Sequence, residues 1–341
     1  MTAKNPFIIP ILFFLVVGTS PSLKADEARP PLGLPELNIP ANNPITPEKV
    51  ALGKKLYFDK RLSANDTISC ATCHDPDKGF ADAAPVSTGI NGQKGGRSAP
   101  TTLNAAYMDT QFWDGRAPSL EEQAKGPIIN PIEMGMPSHD TLIEKLNNIE
   151  EYRNDFQNTF GEAATIDNVA KAIASFERTL LSANSPFDRY LYDDDETAMT
   201  EGAKRGFKVF TGKGRCSICH EANARFGLFM DNKFHNLGVG MDKKDPDLGR
   251  YDVTLQYKDK GAFKTPTLRD IALTAPYMHD GSVATLLEVV EFYNKGGEPN
   301  PHLSDKIEPL QLTQEEKDDL VAFMESLTSM DINQLIESTR E

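Results

Sequence analysis

The chain has 341 residues, of which 50 are acidic and 36 are basic, giving a formal net charge of −14 at pH 7. That balance repels the phosphate backbone, and the sequence has no basic cluster that could neutralise it, so nucleic acid is excluded as a partner. The length is enough for two domains of ordinary size.

The first 25 residues have the composition of an export signal. Lys4 precedes an apolar stretch from Phe7 to Val17, and the segment ends in Ala25 before acidic, proline-rich sequence. This order is typical of a cleaved bacterial signal peptide over residues 1–25, and it predicts a periplasmic protein. An uncleaved leader acting as a membrane anchor is the alternative. No later segment reaches the roughly 20 apolar residues that a spanning helix needs.

A helix is predicted soon after the leader. Thr46 is a capping residue, and Pro47 suits the first helical position. Gly53 is followed at +3 and +4 by Leu56 and Tyr57, which is the spacing of one helix face. The same pattern of a glycine, an apolar residue and an aromatic residue recurs at Gly206, Val209 and Phe210.

Each of these predicted helices leads to a Cys-x-x-Cys-His motif. The two motifs contain all four cysteines of the chain and consist of Cys70, Cys73, His74, Cys216, Cys219 and His220. Two thiols at this spacing can bond the two vinyl groups of one haem, and the adjoining histidine can then ligate the iron. A zinc site would need further ligands at fixed spacing, and a redox-active cysteine pair would not need the histidine. The sequence therefore predicts two covalently bound c-type haems.

The elements around the motifs are mostly helical. A helix is predicted over residues 167–181, and another follows the capping box formed by Thr313 and Glu316. Strand patterns are sparse. Residues 85–101 and 243–267 are rich in glycine, proline and lysine, and are predicted to be long loops packed on haem.

The repeated lead-in and motif predict two domains of one kind. The acidic run over residues 193–196 is interpreted as a solvated loop near their boundary. The predicted fold class is therefore all-α, with two tandem cytochrome c-like haem domains with long loops. We expect the N-terminal haem domain over residues 26–192 and the C-terminal one over residues 193–341.

Four further segments carry longer motifs. They are Ser98-Ala-Pro-Thr-Thr-Leu-Asn104, Gln111-Phe-Trp-Asp-Gly-Arg-Ala117, Glu122-Gln-Ala-Lys-Gly-Pro127 and Thr274-Ala-Pro-Tyr-Met-His-Asp-Gly281. Together with the haem motifs, they resemble the bacterial diheme cytochrome c peroxidases over nearly the whole chain after the leader. The resemblance implies a periplasmic enzyme that reduces hydrogen peroxide to water with electrons from a small c-type cytochrome or a copper protein (a cupredoxin).

The resemblance also implies different roles for the two haems. The N-terminal haem would react with peroxide, and the C-terminal haem would collect electrons and pass them inward. Glu133 matches the acid–base catalyst of peroxide cleavage, and Gln123 matches a second residue of the same pocket. Trp113 matches a tryptophan between the haems, where an indole could help to couple them.

Two positions depart from the peroxidases that require reductive activation. Ile90 stands where their loop histidine caps the first iron, which predicts an iron open to peroxide while both haems are ferric. Tyr293, 14 residues beyond His279, stands where the family has a methionine ligand. A tyrosine ligand lowers the potential of the second haem, whereas methionine raises it. Met278, His279 and Met241 are the alternative ligands.

Tyr293 is similar to the ligand of the MauG-like enzymes, which mature the tryptophylquinone of methylamine dehydrogenase. An alternative function is therefore peroxide-dependent oxidation of tryptophan or tyrosine residues in a partner protein. Gly214 counts against it, because those enzymes carry a tryptophan at that position to transfer oxidising equivalents. A diheme electron carrier without catalysis is the third hypothesis.

The family commonly holds a calcium ion between its domains. Thr274 and Pro276 match two of its ligands, and Ser98 stands in place of an asparagine ligand. Because oxygen-rich calcium sites tolerate such a change, one bound calcium ion is expected. The family often forms homodimers, so the resemblance also implies that assembly.

Overall fold

The computed structural model describes Met1 and residues 30–340, so the remainder of the predicted signal peptide lies outside the described residues. The described chain is rich in helix. Its α-helices are α1 (Pro47–Phe58), α2 (Cys70–Cys73), α3 (Leu120–Ile129), α4 (His139–Asn147), α5 (Glu150–Phe160), α6 (Ile166–Glu177), α7 (Pro186–Tyr192), α8 (Glu201–Thr211), α9 (Tyr251–Thr254), α10 (Leu286–Asn294), α11 (Gln314–Glu325) and α12 (Ile332–Ser338).

Short 3-10 turns and one small sheet complete the fold. The 3-10 turns are Lys60–Leu62, Pro76–Lys78, Ile90–Gly92, Ala105–Tyr107, Cys216–Ile218, Tyr257–Asp259 and Ile271–Leu273. The strands β1 (Phe234–Asn236) and β2 (Ala262–Lys264) pair antiparallel, with Phe234 opposite Lys264. The expectation of an all-α chain omitted this sheet, although the helix-rich character is confirmed.

The predicted helix starts are confirmed by their caps. The Thr46 side chain accepts a hydrogen bond from the Lys49 backbone N–H at the start of α1, with Pro47 as the first helical residue. Thr313 and Glu316 form a reciprocal capping box at the start of α11. Because these side chains bond the unpaired N–H groups of the first turn, each helix begins where its cap stands.

Two helix pairs cross in the same way. A Cβ on Gly53 of α1 would lie 1.9 Å from the carbonyl oxygen of Ala172 in α6, and a Cβ on Gly206 of α8 would lie 1.9 Å from that of Asp319 in α11. Both glycines therefore allow a closer helix approach than any side chain would permit. The repeated glycine pattern of the sequence marks these two crossings.

The apolar side chains form two main clusters. The first contains Leu56, Tyr57 and Phe176, and the second contains Phe210, Phe229 and Phe323. Among the first cluster's members is Ile332 of the last helix, α12, while Phe187 of α7 packs in the second cluster. The C-terminal helix α12 therefore packs on the first half of the chain. The domain boundary at residues 192/193 stays a prediction.

Polar contacts join the two halves. The Arg97 guanidinium donates two hydrogen bonds to the Asp247 carboxylate, at 2.7 and 2.8 Å, and one to Asp114 at 2.6 Å. Next to it, the Ser98 backbone N–H donates to the His279 carbonyl at 2.7 Å. The segment that follows residue 96 is therefore held against the second half of the chain.

Within residues 30–340, none of the helices combines the length and the apolar character that crossing a lipid bilayer requires.

Candidate haem sites

The first Cys-x-x-Cys-His motif lies on α2 and is tied to the first cluster. Ser69 and Thr72 cap the helix reciprocally, and the Tyr57 hydroxyl donates to the His74 carbonyl at 3.1 Å. The His74 Nδ1 atom lies 3.0 Å from the Pro100 carbonyl oxygen. Because a carbonyl only accepts, Nδ1 carries the proton and Nε2 keeps the lone pair that an iron needs. Histidine ligands in metalloproteins are held in this manner.

The two sulfur atoms of the first motif are uncharged thiols. Burial raises the pKa of Cys70 to about 12 and that of Cys73 to about 11, and nearby carboxylates add to the effect. A zinc site would use thiolates, which this environment disfavours. Neutral, neighbouring thiols are the groups that become thioethers when a c-type haem is attached.

Ile90 and Glu133 lie together beside the first motif. The Ile90 backbone N–H donates to the Glu133 carbonyl at 2.8 Å, and the Ile90 side chain packs on Gly135. The Glu133 carboxylate contributes to the raised pKa of Cys73, so the two side chains are close. Ile90 is buried, and the loop that carries it therefore presents an aliphatic side chain to the first cluster.

The Glu133 carboxyl group is half-buried and is held by one donor. Asn130 Nδ2 donates to Glu133 Oε1 at 2.9 Å. Burial raises the pKa of Glu133, and the positive charge of Arg116 opposes that rise. The Arg116 guanidinium itself stacks on the Phe112 ring, 3.5 Å from its centroid. Gln123 lies half-buried on α3, the helix that leads into the Glu133 turn.

The second motif borders a cavity of about 220 Å³ in the second half of the chain, and Cys216, Cys219 and His220 line it. The His220 Nδ1 atom lies 2.8 Å from the Phe229 carbonyl oxygen, so this imidazole is held in the same way as His74. Burial lowers the pKa of His220, which keeps the ring neutral and able to ligate.

Tyr293, at the end of α10, also lines the cavity. Burial beside the two cysteines raises its pKa, so its phenolate would need a cation as partner. Met278 and His279 line the same cavity, and the His279 ring stacks on Phe263 with 3.6 Å between centroids. Met241 Sδ fills the space beside Gly261.

One segment joins the two motifs. Pro100, whose carbonyl accepts from His74, also lines the second cavity, as do Ser98 and Trp113. Trp113 Nε1 donates to the Ser98 carbonyl at 2.9 Å. A short run of backbone therefore connects the first histidine to the tryptophan and to the second cavity.

The residues expected to hold calcium are also brought together. Ser98, Thr274 and Pro276 all line the second cavity. The Ser98 carbonyl accepts from Trp113, and the Thr274 hydroxyl donates to the Ile271 carbonyl at 3.2 Å.

Sequence reasoning assigned no role to two groups at the second site, the half-buried His235 and the buried Lys264. His235 Nε2 lies 2.8 Å from Asp231 Oδ2 and also contacts Cys219; hydrogen bonds to Asp231 and Cys219 raise the pKa of His235 to about 9. Among the described residues these three form a group with metal-ligand spacing. Lys264 is the second, and its side chain is buried on the cavity wall. No local sequence pattern marks either group, because the pairing of β1 with β2, two strands distant in sequence, positions both.

The donor set fits haem better than a bare ion. Each motif offers two cysteines and one imidazole with a free Nε2 atom, and the second cavity is lined mainly by apolar side chains. A structural zinc site would instead close four ligands around one point.

Known proteins match the chain over most of its length. A family model described as di-haem cytochrome c peroxidase matches residues 47–196. The methylamine utilization protein MauG of Methylorubrum extorquens is 44% identical over 84% of this chain and 80% of its own. The cytochrome-c peroxidase IdrP1 of Denitromonas iodatirespirans is 39% identical over 92% of this chain and 90% of its own.

A solved structure agrees with these sequence matches. The crystal structure of a MauG-like protein associated with microbial copper homeostasis superposes with a TM-score of 0.79 at 33% identity. The match covers 89% of this chain and 96% of that one. Peroxidases with two haems recur among such relatives, and the haem motifs and the cavity described above agree with them. The chain therefore belongs to the di-haem cytochrome c peroxidase family and is an oxidoreductase of the peroxidase type.

Proposed function

We propose that this chain is a periplasmic peroxidase that reacts with hydrogen peroxide without prior reduction. Cys70, Cys73 and His74 would hold the peroxidatic haem, each cysteine through a thioether. The bound iron supplies a site for peroxide and for one-electron chemistry. Electrons would come from a small c-type cytochrome or a copper protein.

The main support for reaction without prior reduction is Ile90. Its loop lies directly on the Glu133 turn, where the Ile90 backbone N–H bonds the Glu133 carbonyl at 2.8 Å, and its side chain is buried among apolar neighbours. An isoleucine offers no atom that can ligate iron. Residues 75–138 contain no histidine that could do so instead.

Glu133 is the proposed acid–base group for peroxide cleavage. A carboxylate with a raised pKa can take a proton from the substrate oxygen and return it to the departing one. Asn130 holds one carboxylate oxygen at 2.9 Å, which leaves the other for the substrate. Gln123, on the helix before this turn, would orient the peroxide through its amide group.

Cys216, Cys219 and His220 would hold the electron-accepting haem, and Tyr293 would be a further ligand of its iron. Support comes from the position of Tyr293 on the cavity wall and from its buried phenol group. Trp113 would couple the two haems, since it lies on the segment between their histidines.

The finer architecture belongs to the same proposal. The two equivalent helix crossings and the two apolar clusters support two tandem cytochrome c-like domains. Ser98, Thr274 and Pro276 would hold one calcium ion between them, and the active assembly would be a homodimer. The predicted signal peptide supports export to the periplasm.

A second candidate function is peroxide-dependent oxidation of tryptophan or tyrosine residues in a partner protein. Tyr293 and the 44% identity to a methylamine utilization protein favour it. Gly214 lies in the second cavity wall, against Cys216, where the MauG-like enzymes carry a tryptophan, and this disfavours it.

The decisive experiment mixes the haem-loaded diferric protein with peroxide in a stopped-flow instrument, with and without reduced small cytochrome c. We expect rapid oxidation of the cytochrome without pre-reduction. Ile90→His is expected to make activity depend on pre-reduction, while Ile90→Val, the matched control, keeps the wild-type behaviour.

Other outcomes select other functions. A long-lived spectral change with the cytochrome still reduced would support oxidation of a partner protein. Inertness of the diferric wild type would contradict the proposal and favour an electron carrier.

Replacing Tyr293 by methionine should raise the midpoint potential of the second haem, because methionine favours the reduced iron. An unchanged potential would remove Tyr293 as a ligand.

A further inference from the structure

Lys264 is a buried cation on the wall of the second cavity. It ends strand β2, and its side chain is only 7% exposed. Its Nζ donates to the Thr110 carbonyl at 2.6 Å and contacts Met108 Sδ at 3.1 Å. A lysine ammonium has three donors, so one remains for a further acceptor. Lys264 and Met108 both line the cavity.

Of the acids near Lys264, Asp114 is engaged elsewhere and Asp109 is exposed. The carboxylates of Asp114 and Asp109 attract the Lys264 ammonium electrostatically, without a hydrogen bond to it. The Asp114 carboxylate is bonded instead by Arg97 at 2.6 Å and by Arg116 at 2.9 Å. Burial consequently lowers the pKa of Lys264 to about 8. A buried ammonium whose contacts are a carbonyl and a thioether lacks the anion that normally compensates such a charge.

The other cations on this wall differ from Lys264. Arg215 is partly exposed and pairs with Glu308 at 2.8 Å, and Lys306 is also partly exposed. Solvent and a carboxylate therefore stabilise Arg215 without any ligand, and solvent reaches Lys306. The charge at Lys264 requires an anion that arrives with the occupant of the cavity.

We propose that Lys264 binds a propionate group of the second haem and is its buried counter-ion. A haem carries two carboxylates, and a propionate at Nζ would use the third donor in a charge-assisted hydrogen bond. The inference needs only a haem in this cavity, and it is independent of the electron donor and of Tyr293.

The Lys264 backbone N–H donates to the Trp113 carbonyl at 2.8 Å, so the residue that would hold the propionate is attached to the tryptophan's segment. A nearby positive charge opposes the ferric state of the second haem. We therefore expect Lys264 to raise the potential of that haem, and to act as a positioning and electrostatic residue rather than as a catalytic one.

The test is a spectroelectrochemical titration of the haem-loaded protein and three variants. In Lys264→Gln we expect a downward shift in the midpoint potential of the second haem, since the propionate charge is then uncompensated. Lys264→Arg keeps the charge and should stay close to the wild type. Lys258→Gln removes an exposed lysine of the same half of the chain and should cause no shift.

An equal potential in Lys264→Gln and Lys258→Gln would overturn the proposal and leave Lys264 as a support for the Thr110 carbonyl. A shift confined to the first haem would overturn it as well. If Lys264→Gln does not fold or load haem, a crystal structure of the loaded wild type decides. A propionate oxygen farther than roughly 4 Å from Nζ would then contradict the pairing.

Discussion

Glu133 combines the three properties that an acid–base group needs. Its carboxyl group is half-buried, one oxygen is fixed by Asn130, and burial raises its pKa above the ordinary value of 4.5. The positive charge of Arg116 opposes that rise in pKa. A carboxyl group held in this way is suited to accept and return a proton.

Glu133→Gln should lower kcat/KM for peroxide by about 10²–10⁴-fold, because glutamine keeps the shape but cannot carry the proton. Steady-state kinetics with unchanged haem spectra would measure it. Glu122→Gln, on the exposed side of α3, is the matched control and should keep full activity. A Glu133→Gln enzyme with wild-type kcat/KM would remove Glu133 from the mechanism.

The raised pKa of Glu133 determines how activity should depend on pH. Glu133 must be ionised to act as a base, and its folded pKa is raised. Activity should therefore fall as the pH decreases through a value above 4.5, rather than below it. The pH profile of kcat/KM would show this acid limb in the wild type. Its persistence in Glu133→Gln would assign the limb to another group.

The two motif histidines, His74 and His220, show how much of a site a local sequence pattern can predict. The motifs predicted His74 and His220 as ligands, and both rings lie with Nδ1 on a backbone carbonyl. Those carbonyls belong to Pro100 and Phe229, which lie outside the motifs, 26 and 9 residues after the two histidines. Because folding brings them to the rings, the local motif sequence could not identify them.

At the scale of elements, the two glycine-mediated helix crossings leave no room for a side chain. Gly53→Ala or Gly206→Ala would place a Cβ 1.9 Å from a backbone carbonyl oxygen, so the helices must separate. We expect each substitution to lower the free energy of unfolding by about 1–3 kcal/mol, despite the better helix propensity of alanine. Denaturant unfolding of the haem-loaded protein would measure it.

Gly96→Ala is the control for these substitutions. The position is exposed, and a Cβ there would meet open space. Its stability should match the wild type. If Gly53→Ala were equally stable, the crossing of α1 and α6 would not depend on the close approach described here.

The elements differ in how well the sequence predicted them. The starts of α1 and α11 were predictable because Thr46 and Thr313 are local caps. The helix predicted over residues 167–181 ends at Glu177, although the apolar spacing continues to the buried Leu180. Strands β1 and β2 have three residues each, which is too short for an alternating pattern, and their pairing depends on partners distant in sequence.

At the scale of the whole molecule, buried polar contacts join distant segments. Arg269 donates two hydrogen bonds to the Asp188 carboxylate, both at 2.8 Å, and others to the carbonyls of Gly33 and Gly227. The N-terminal segment is thereby attached to the second cluster, just as α12 is attached to the first. Neither link was predicted, since contacts between segments distant in sequence leave no periodic pattern.

The contact between Arg97 and Asp247 joins the two halves beside the second haem site, and its strength should depend on pH. Burial alone would raise the pKa of Asp247, but hydrogen bonds from Arg97 and the Gly249 N–H outweigh it and hold the pKa below the usual 3.8. Because the folded pKa is depressed, the stabilisation is present above 3.8 and is lost as the pH falls through the folded value.

Asp247→Asn should therefore lower the free energy of unfolding at pH 7 by about 1.5–3 kcal/mol, the usual contribution of a hydrogen bond to a charged group. As the pH falls below 3.8 and through the lowered folded pKa, the wild-type carboxyl group becomes protonated and the difference between the two proteins should shrink. Unfolding curves of both proteins at several pH values would measure this. Asp245→Asn, at a nearby exposed position, should follow the wild type throughout. A pH-independent difference would mean that Asp247 stabilises the fold through its shape rather than through its charge.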